Sequence, residues 1–145
     1  MKNAKGFTLL EVLVVLSASL LLLSIGSIIH TNILQNYQKE QFFRLFQSDL
    51  LHMQQITFIK REMLYLTIQP DQHNYIIRRA GTGKTIVKRD IPNNWHIQLV
   101  TLSMPISYTY SGTIKNPGMF TIKTDDSQYD VYFPFGKGRN YVVEY

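Results

Sequence analysis

The chain has 145 residues, with 15 Lys and Arg against 10 Asp and Glu, so its formal net charge is +5, and it has no cysteine. This length is typical of a single domain. The absence of cysteine excludes disulfides, thiolate metal sites, iron–sulfur clusters and thiol catalysis. The modest positive charge favours anionic partners weakly and is too small to name one.

The first feature along the chain is an apolar segment, residues 7–29, in which Glu11 is the one ionisable side chain. As a helix, 23 residues reach roughly 34 Å, enough to cross a hydrocarbon core of about 30 Å. Lys2 and Lys5 precede the segment, whereas the first basic residue after it is Lys39. The positive-inside rule therefore predicts a single-pass helix with a cytoplasmic N-terminus and an exported remainder.

A cleaved secretory signal peptide is an alternative interpretation of the same segment. Lys2 and Lys5 would form its basic leader, and Ser24-Ile25-Gly26 has the small-x-small pattern of a cleavage site. Glu11 argues against this interpretation, because a carboxylate within an apolar segment costs about 2.5 to 3.5 kcal/mol on insertion scales. An acid tolerated near the membrane edge is the remaining simple explanation for Glu11.

The run from Lys5 to Leu16, KGFTLLEVLVVL, closely resembles the class III signal of type IV pilins and type II secretion pseudopilins. The resemblance implies that a prepilin peptidase cuts after Gly6 and methylates the new amino terminus on Phe7. It also implies that Glu11 neutralises the amino terminus of a neighbouring subunit during filament assembly. The implied partners are the prepilin peptidase, other pilins or pseudopilins of the same filament, and membrane lipid before assembly.

Beyond His30 the uniformly apolar pattern becomes periodic, which predicts an amphipathic helix. The apolar stripe consists of Phe42, Leu45, Phe46, Leu50, Met53 and Ile56. No proline occurs before Pro70, so one helix could run from about residue 7 to about residue 60. Asp49 lies within the stripe, and the sequence offers no reason for it. The stripe would pack on the chain's own sheet, while apolar residues outside it, such as Leu51 and Phe58, could face neighbouring subunits.

From Met63 onward, apolar and polar residues alternate as in half-buried strands bounded by Gly, Pro, Asn and Asp clusters. The strand candidates are 64–68, 75–79, 85–88, 95–99, 106–110, 119–124, 129–135 and 141–145. The pattern predicts an α+β fold in which a long N-terminal helix packs on a small antiparallel β-sheet head, as in pilins. The expected segments are a leader at 1–6, a transmembrane and assembly half of the helix at 7–29, an amphipathic half at 30–62 and the head at 63–145.

Two short strings narrow the resemblance. The tail Phe135-Gly136-Lys137-Gly138-Arg139 and the helix segment 51–60, with Gln54-Gln55, are similar to the ComGD family of competence minor pseudopilins from Gram-positive bacteria. This resemblance implies a minor subunit of a type IV pilus-like filament for DNA uptake. A type II secretion minor pseudopilin and a minor subunit of an adhesive pilus are the alternatives.

A possible contact with DNA comes from a basic stretch with no acid between its first and last cation. Its cations are Arg78, Arg79, Lys84, Lys88 and Arg89, which a hairpin could present to phosphates. Tyr75, Tyr108, Tyr110, Tyr132 and Tyr141 are candidates for stacking on bases. The alternative is a solvated basic hairpin whose tyrosines simply suit strands.

Other motifs predict no catalytic or metal chemistry. Gly81-Thr82-Gly83-Lys84-Thr85 ends like a Walker A loop, but Arg78 stands where the first glycine belongs and a strand pattern follows, so a hairpin loop is expected. The four histidines share no ligand spacing, and Asp125, Asp126 and Asp130 lack the alternation of an EF-hand. We expect no enzyme, no cofactor and no metal. A membrane-anchored surface protein that binds DNA or another anionic polymer, and a distant enzyme class, complete the alternatives.

Overall fold

The computed structural model of the chain describes residues 8–136 and 138–145, without the side chains of residues 25–33. A long helix, α1, covers Leu9–Lys60. Thr8 begins it, because its hydroxyl accepts the Glu11 N–H at 3.3 Å and its carbonyl accepts the Val12 N–H at 3.2 Å. The prediction of one helix running to about Lys60 is confirmed.

The chain divides into two compact units, residues 1–43 and 44–145. In the first unit, the large apolar side chains from Leu9 to Leu23 are all exposed, by 47 to 84%. Ser17, Ser19 and Ser24 each donate a hydrogen bond of 2.8 Å to a carbonyl of their own helix. The serine hydroxyls of this apolar stretch are thus satisfied by their own helix.

No helical stretch in the described part of the chain has the length and hydropathy needed to cross a membrane. The segment predicted for the membrane, residues 7–29, includes Phe7 and the side chains of 25–29, which lie outside the described residues.

The second unit contains the end of α1 and, among the described residues, two small antiparallel sheets. The first sheet has the order β1-β2-β3, with β1 Leu64–Gln69, β2 Asn74–Arg79 and β3 Thr85–Asp90. The second has the order β4-β5-β6-β7, with β4 His96–Leu99, β5 Gly118–Lys123, β6 Gln128–Phe133 and β7 Tyr141–Glu144. The predicted α+β fold is confirmed, with a head of two sheets.

The predicted strand at 106–110 is wrong, because this segment forms only isolated bridges. Ile106 exchanges both backbone hydrogen bonds with Leu66 of β1, at 2.8 and 2.9 Å. Only three residues later, the Thr109 N–H donates instead to the Thr113 carbonyl at 2.8 Å. The segment turns from one neighbour to another before a continuous ladder can form.

The core of the second unit lies between α1 and both sheets. Phe46 is 1% exposed and meets two rings edge to face, that of Tyr75 on β2 at 5.3 Å and that of Phe120 on β5 at 5.9 Å. The ring of Phe120 in turn stacks on Phe133 of β6, with centroids 6.3 Å apart. One helical side chain therefore joins the two sheets.

The apolar stripe predicted on α1 is correct except at one edge. Phe42, Phe46, Leu50 and Met53 are buried and Ile56 is half-buried. Leu45, however, is 38% exposed, whereas the polar Asp49 and Thr57 are buried. Leu45 lies about 40° beyond Asp49 around the helix, so the buried arc is centred away from it. The arc that faces the sheets thus includes two polar positions.

Candidate assembly motif and basic hairpin

The predicted processing site, Gly6 and Phe7, lies outside the described residues. Glu11 lies in the first turn of α1 and is exposed. A negative side chain is favourable there, since the helix N-terminus carries partial positive charge. No cation or hydrogen-bond donor for its carboxylate is found among residues 8–136 and 138–145. The carboxylate is therefore exposed on an otherwise apolar surface.

Thr8 is a structural residue that the sequence reasoning overlooked. Its hydroxyl caps the helix by accepting the backbone N–H of Glu11. The signal was present, because Thr8-Leu9-Leu10-Glu11 has the S/T-x-x-E pattern of a capping box immediately before an apolar run. The motif read as a processing signal is also the start of the helix.

The glycine-rich segment 80–84 is a hairpin loop between β2 and β3, as predicted. Gly81 and Gly83 have φ values of +80° and +65°, which favour glycine. The backbone of Arg79 closes the loop, because its N–H donates to the Lys84 carbonyl at 3.0 Å and its carbonyl accepts the Gly83 N–H at 3.1 Å. Because the strand β3 follows, the loop lacks the helix N-terminus that a Walker A loop uses to hold phosphates.

Two of the five hairpin cations are committed to acids of the same unit. The Arg89 guanidinium contacts both carboxylate oxygens of Asp49, with Nε 3.1 Å from Oδ2 and Nη2 3.4 Å from Oδ1. The Arg79 guanidinium lies 3.2 Å from a carboxylate oxygen of Glu62. These pairs reduce the positive charge that the predicted patch can offer to phosphates.

The other three hairpin cations are exposed and do not lie on the acid-paired face. Arg78 and Lys88 are exposed and share one face of the hairpin, because Lys88 is opposite Ile76 in the ladder and Arg78 follows two residues after Ile76. Lys84 is exposed at the loop. The structure therefore separates the predicted patch into an acid-paired face and an exposed group of Arg78, Lys84 and Lys88.

Asp49, unexplained in the sequence, is the centre of a polar contact between α1 and the first sheet. It is 8% exposed, and besides Arg89 it accepts the Tyr75 hydroxyl at 2.9 Å. Burial, together with this hydrogen bond to Asp49, raises the pKa of Tyr75 well above its usual value. The hydrogen bond to Asp49 likewise raises the pKa of Arg89. A buried carboxylate is stable here because the Arg89 guanidinium neutralises it and the Tyr75 hydroxyl donates to it.

The five tyrosines proposed for base stacking are not equivalent. Tyr75 and Tyr108 are 1 and 2% exposed, so neither ring can stack on a base, and this prediction is wrong for both. Burial raises the pKa of Tyr108 to about 12. Tyr110 and Tyr141 are exposed, and Tyr141 stacks on Tyr132 with centroids 5.0 Å apart. This stacked pair belongs to the second sheet, whereas the hairpin cations belong to the first.

The acidic residues near β6 bind separate donors of the chain. Asp125 accepts the Asn94 amide at 2.9 Å, Asp126 accepts the Thr124 hydroxyl at 2.9 Å, and Asp130 accepts the Thr121 hydroxyl at 2.7 Å. In the part of the chain that the structure describes, no group of three or more His, Asp or Glu side chains is placed to hold a metal ion.

The two strings of the narrower resemblance meet in the structure. The Gln54 amide donates to the Gly112 carbonyl, and a Cβ on Gly138 would collide with both groups. Next to this contact is a cavity of about 200 Å³, lined by Gln47, Leu50, Leu51, Gln54, Tyr108, Gly138, Arg139 and Asn140. Only glycine permits the tail to lie this close to the helix.

Comparison with known proteins is informative for the N-terminal segment of the chain. Neither a curated protein nor a solved structure matches the chain significantly. Residues 1–27 match the family model of the prokaryotic N-terminal methylation motif. This match includes Gly6, Phe7 and Glu11, the residues on which the pilin resemblance depends. The chain thus carries the N-terminal motif of type IV pilin-like proteins, joined to a long helix and a β-rich head.

Proposed function

We propose that this chain is a minor pseudopilin, of the ComGD type, in a type IV pilus-like filament that takes up DNA during natural competence. The observation that carries the proposal is the methylation motif at residues 1–27, which includes the start of α1 and is joined through this helix to the two-sheet head. Its role is structural, since pilin-type proteins act by assembly rather than by catalysis. The subunit would help to start the filament by contacting other minor subunits through its head.

The exposed apolar half of α1 supports membrane storage before assembly. The large apolar side chains from Leu9 to Leu23 are exposed, and Ser17, Ser19 and Ser24 bond to the backbone of their own helix. Such a surface is stable in lipid or within a bundle of similar helices. With Lys2 and Lys5 before it, the N-terminus would stay in the cytoplasm and the head would be outside.

The exposed Glu11 carboxylate supports the assembly step. An acid within an apolar bundle is costly unless a cation neutralises it. The amino group of a processed neighbour supplies one positive charge for each Glu11. Pairing would offset the burial of both charges and set the axial spacing of subunits.

The first experiment is the mass of the N-terminal peptide of the protein recovered from its own membranes, with and without the prepilin peptidase. We expect a chain that begins at N-methyl-Phe7 and lacks the first six residues only when the peptidase is present. A chain that begins at Met1 in both strains would contradict the pilin class and favour a membrane-anchored surface protein.

Substitution of Glu11 tests the assembly step separately. Glu11→Gln keeps the size of the side chain and removes its charge, whereas Glu11→Asp keeps the charge. We expect normal cleavage in both variants, loss of filament incorporation in Glu11→Gln, and partial incorporation in Glu11→Asp. Filament fractions probed for the subunit measure this, and normal incorporation of Glu11→Gln would remove the charge-pairing mechanism.

Deletion of the subunit distinguishes the competence role from its alternatives. We expect loss of transformation, restored by the intact chain, with protein secretion and adhesion unchanged. A secretion defect without a transformation defect would instead favour a type II secretion pseudopilin, and an adhesion defect would favour a subunit of an adhesive pilus.

We assign direct DNA contact by this subunit to the exposed cations Arg78, Lys84 and Lys88. Their replacement by Ala should weaken DNA binding of the full chain in lipid nanodiscs and lower the salt dependence by about one counterion per lost phosphate contact. Arg79→Ala is the matched control, because Arg79 is paired with Glu62. Equal effects of the exposed and the paired cations, or no binding by the unchanged chain, would contradict a specific phosphate contact.

A further inference from the structure

The edge strands β3, of the first sheet, and β7, of the second, differ in how far they are protected from pairing with another chain. β3 carries Lys88, Arg89 and Asp90, and its ladder is interrupted by a register shift at Ile77 and Arg78. Charges and register breaks of this kind protect an edge from pairing with another chain. β7 has the sequence Tyr-Val-Val-Glu, with one charge and no proline, and its pairing with β6 runs unbroken from Tyr141 to Glu144. β7 therefore lacks the protection found on β3.

The hydrogen-bond pattern shows which backbone groups β7 offers. Gln128 and Tyr145 exchange both N–H···O bonds, at 2.9 and 3.2 Å. In an antiparallel ladder such pairs alternate with pairs whose groups point outward. Val142 and Glu144 therefore direct their N–H and C=O groups away from β6, where no further strand follows among the described ones. The edge presents two donors and two acceptors.

The side chains of β7 divide the edge into an aromatic face and a core face. Tyr141 stacks on Tyr132 with an interplanar angle of 12°, and a hydrogen bond with Tyr145 raises the pKa of Tyr132. Tyr141 and Tyr145 are 50 and 71% exposed. On the opposite face Glu144 accepts the Tyr129 hydroxyl at 2.8 Å. An added strand would thus meet an exposed row of tyrosines on one side.

We infer that β7 pairs with β7 of a second copy of this chain, antiparallel and in the register centred on Val143. In this register Val142 faces Glu144 of the second copy, and each such pair exchanges two backbone hydrogen bonds. Tyr141 faces Tyr145 of the second copy, and the two Val143 side chains face each other. The two four-stranded sheets become one sheet of eight strands with tyrosines side by side across the junction.

Charge and side-chain pairing select this register over its neighbours. Centring the pair on Glu144 would place two glutamates directly opposite each other, which is destabilising. Centring it on Val142 would place Tyr141 opposite Val143 and separate the aromatic rings. The register centred on Val143 avoids the like charges and keeps the aromatic pairs, so a second copy is complementary to the edge.

The absence of cysteine makes disulfide crosslinking a direct test in the full chain in native membranes. Facing Val143 residues would have Cα atoms about 4.5 Å apart, within the range that a disulfide bridges. Under mild oxidation we expect Val143→Cys to become mainly a disulfide dimer. Val142→Cys is the matched control, because its two copies would be about 8 Å apart, beyond that range. Ile86→Cys on β3 reports random collision.

A mixture of two variants checks the register independently of Val143. Chains carrying Tyr141→Cys and chains carrying Tyr145→Cys, each with a different tag, should crosslink to each other and not to themselves. A monomeric Val143→Cys chain, whether its edge is free or covered by another protein, would overturn the proposal. Crosslinking of Val142→Cys and Ile86→Cys to the same extent as Val143→Cys would also overturn it.

Discussion

The two halves of α1 belong to one helix but differ in the exposure of their apolar side chains. Between residues 9 and 24, the large apolar side chains are all exposed. Between residues 44 and 60, Phe46, Leu50 and Met53 are at most 2% exposed because they face the two sheets. Helix formation is the same in both halves, so the difference lies in what covers the apolar side chains. The second half stabilises its own head, and the first presents an exposed apolar surface.

Each half also contains one acidic residue, and the two acidic residues differ in whether the chain supplies partners for the carboxylate. Asp49 is buried and bonded to Tyr75 and Arg89 of the same unit. Glu11 is exposed, and the described part of the chain contributes no cation to its carboxylate. An acid compensated within the chain serves folding, whereas an acid without such compensation is suited to a contact between chains.

The largest expected effect distinguishes the apolar residues of the two halves. Phe46→Ala should lower the free energy of unfolding of the head by about 3 to 5 kcal/mol, because a buried ring between two sheets is removed. Leu20→Ala, at a position that is 66% exposed, should change it by less than about 0.5 kcal/mol. Urea unfolding of the full chain in detergent, followed by fluorescence of the buried Trp95, measures both. Equal effects would remove the distinction between the halves.

The next effect concerns the buried acid. Asp49→Ala should destabilise the head by about 2 kcal/mol, less than the loss of a fully buried pair, because the Arg89 side chain is 43% exposed and can be hydrated. Glu62→Ala, which breaks the exposed pair with Arg79, should cost at most about 1 kcal/mol. The same urea unfolding applies. A larger loss for Glu62→Ala than for Asp49→Ala would contradict the role assigned to Asp49.

The sequence predicted the features that depend on local pattern. The long helix, the position of most strands and the hairpin loop at Gly81 and Gly83 all follow from periodicity and turn residues. The sequence did not predict features that depend on distant partners. The partners of Asp49 are 26 and 40 residues away, and the failure of 106–110 to form a strand depends on where Leu66 and Thr113 lie. Pattern cannot indicate such long-range contacts.

An effect of similar size to that of Asp49→Ala, but confined to alkaline pH, should come from two buried tyrosines of the head. Tyr75 and Tyr108 have raised pKa values when folded, that of Tyr108 about 12, so above pH 10 the unfolded chain loses their protons first. The stabilising contribution of the two tyrosines is therefore fully present below about pH 10. It falls as the pH rises, by about 1.4 kcal/mol per pH unit for each tyrosine, until the pH reaches the folded-state pKa. Tyr75→Phe should make the fall less steep. The measurement is the free energy of unfolding from pH 9 to 11.5 for the unchanged chain and for Tyr75→Phe. The same dependence on pH in the two proteins would contradict this assignment.

The smallest effect concerns the start of the apolar half. Thr8→Ala removes the hydroxyl that accepts the Glu11 N–H and should cost about 1 kcal/mol of local helix stability. The loss should be confined to the first turn, as faster hydrogen exchange at the amides of Glu11 and Val12 in the detergent-bound chain. Ser17→Ala is the matched control, because its hydroxyl bonds a carbonyl within the helix and its removal should leave exchange nearly unchanged. Since Thr8→Ala leaves the Glu11 charge intact, filament incorporation should persist. Loss of incorporation without faster exchange would mean that Thr8 acts in a contact between subunits rather than as a helix cap.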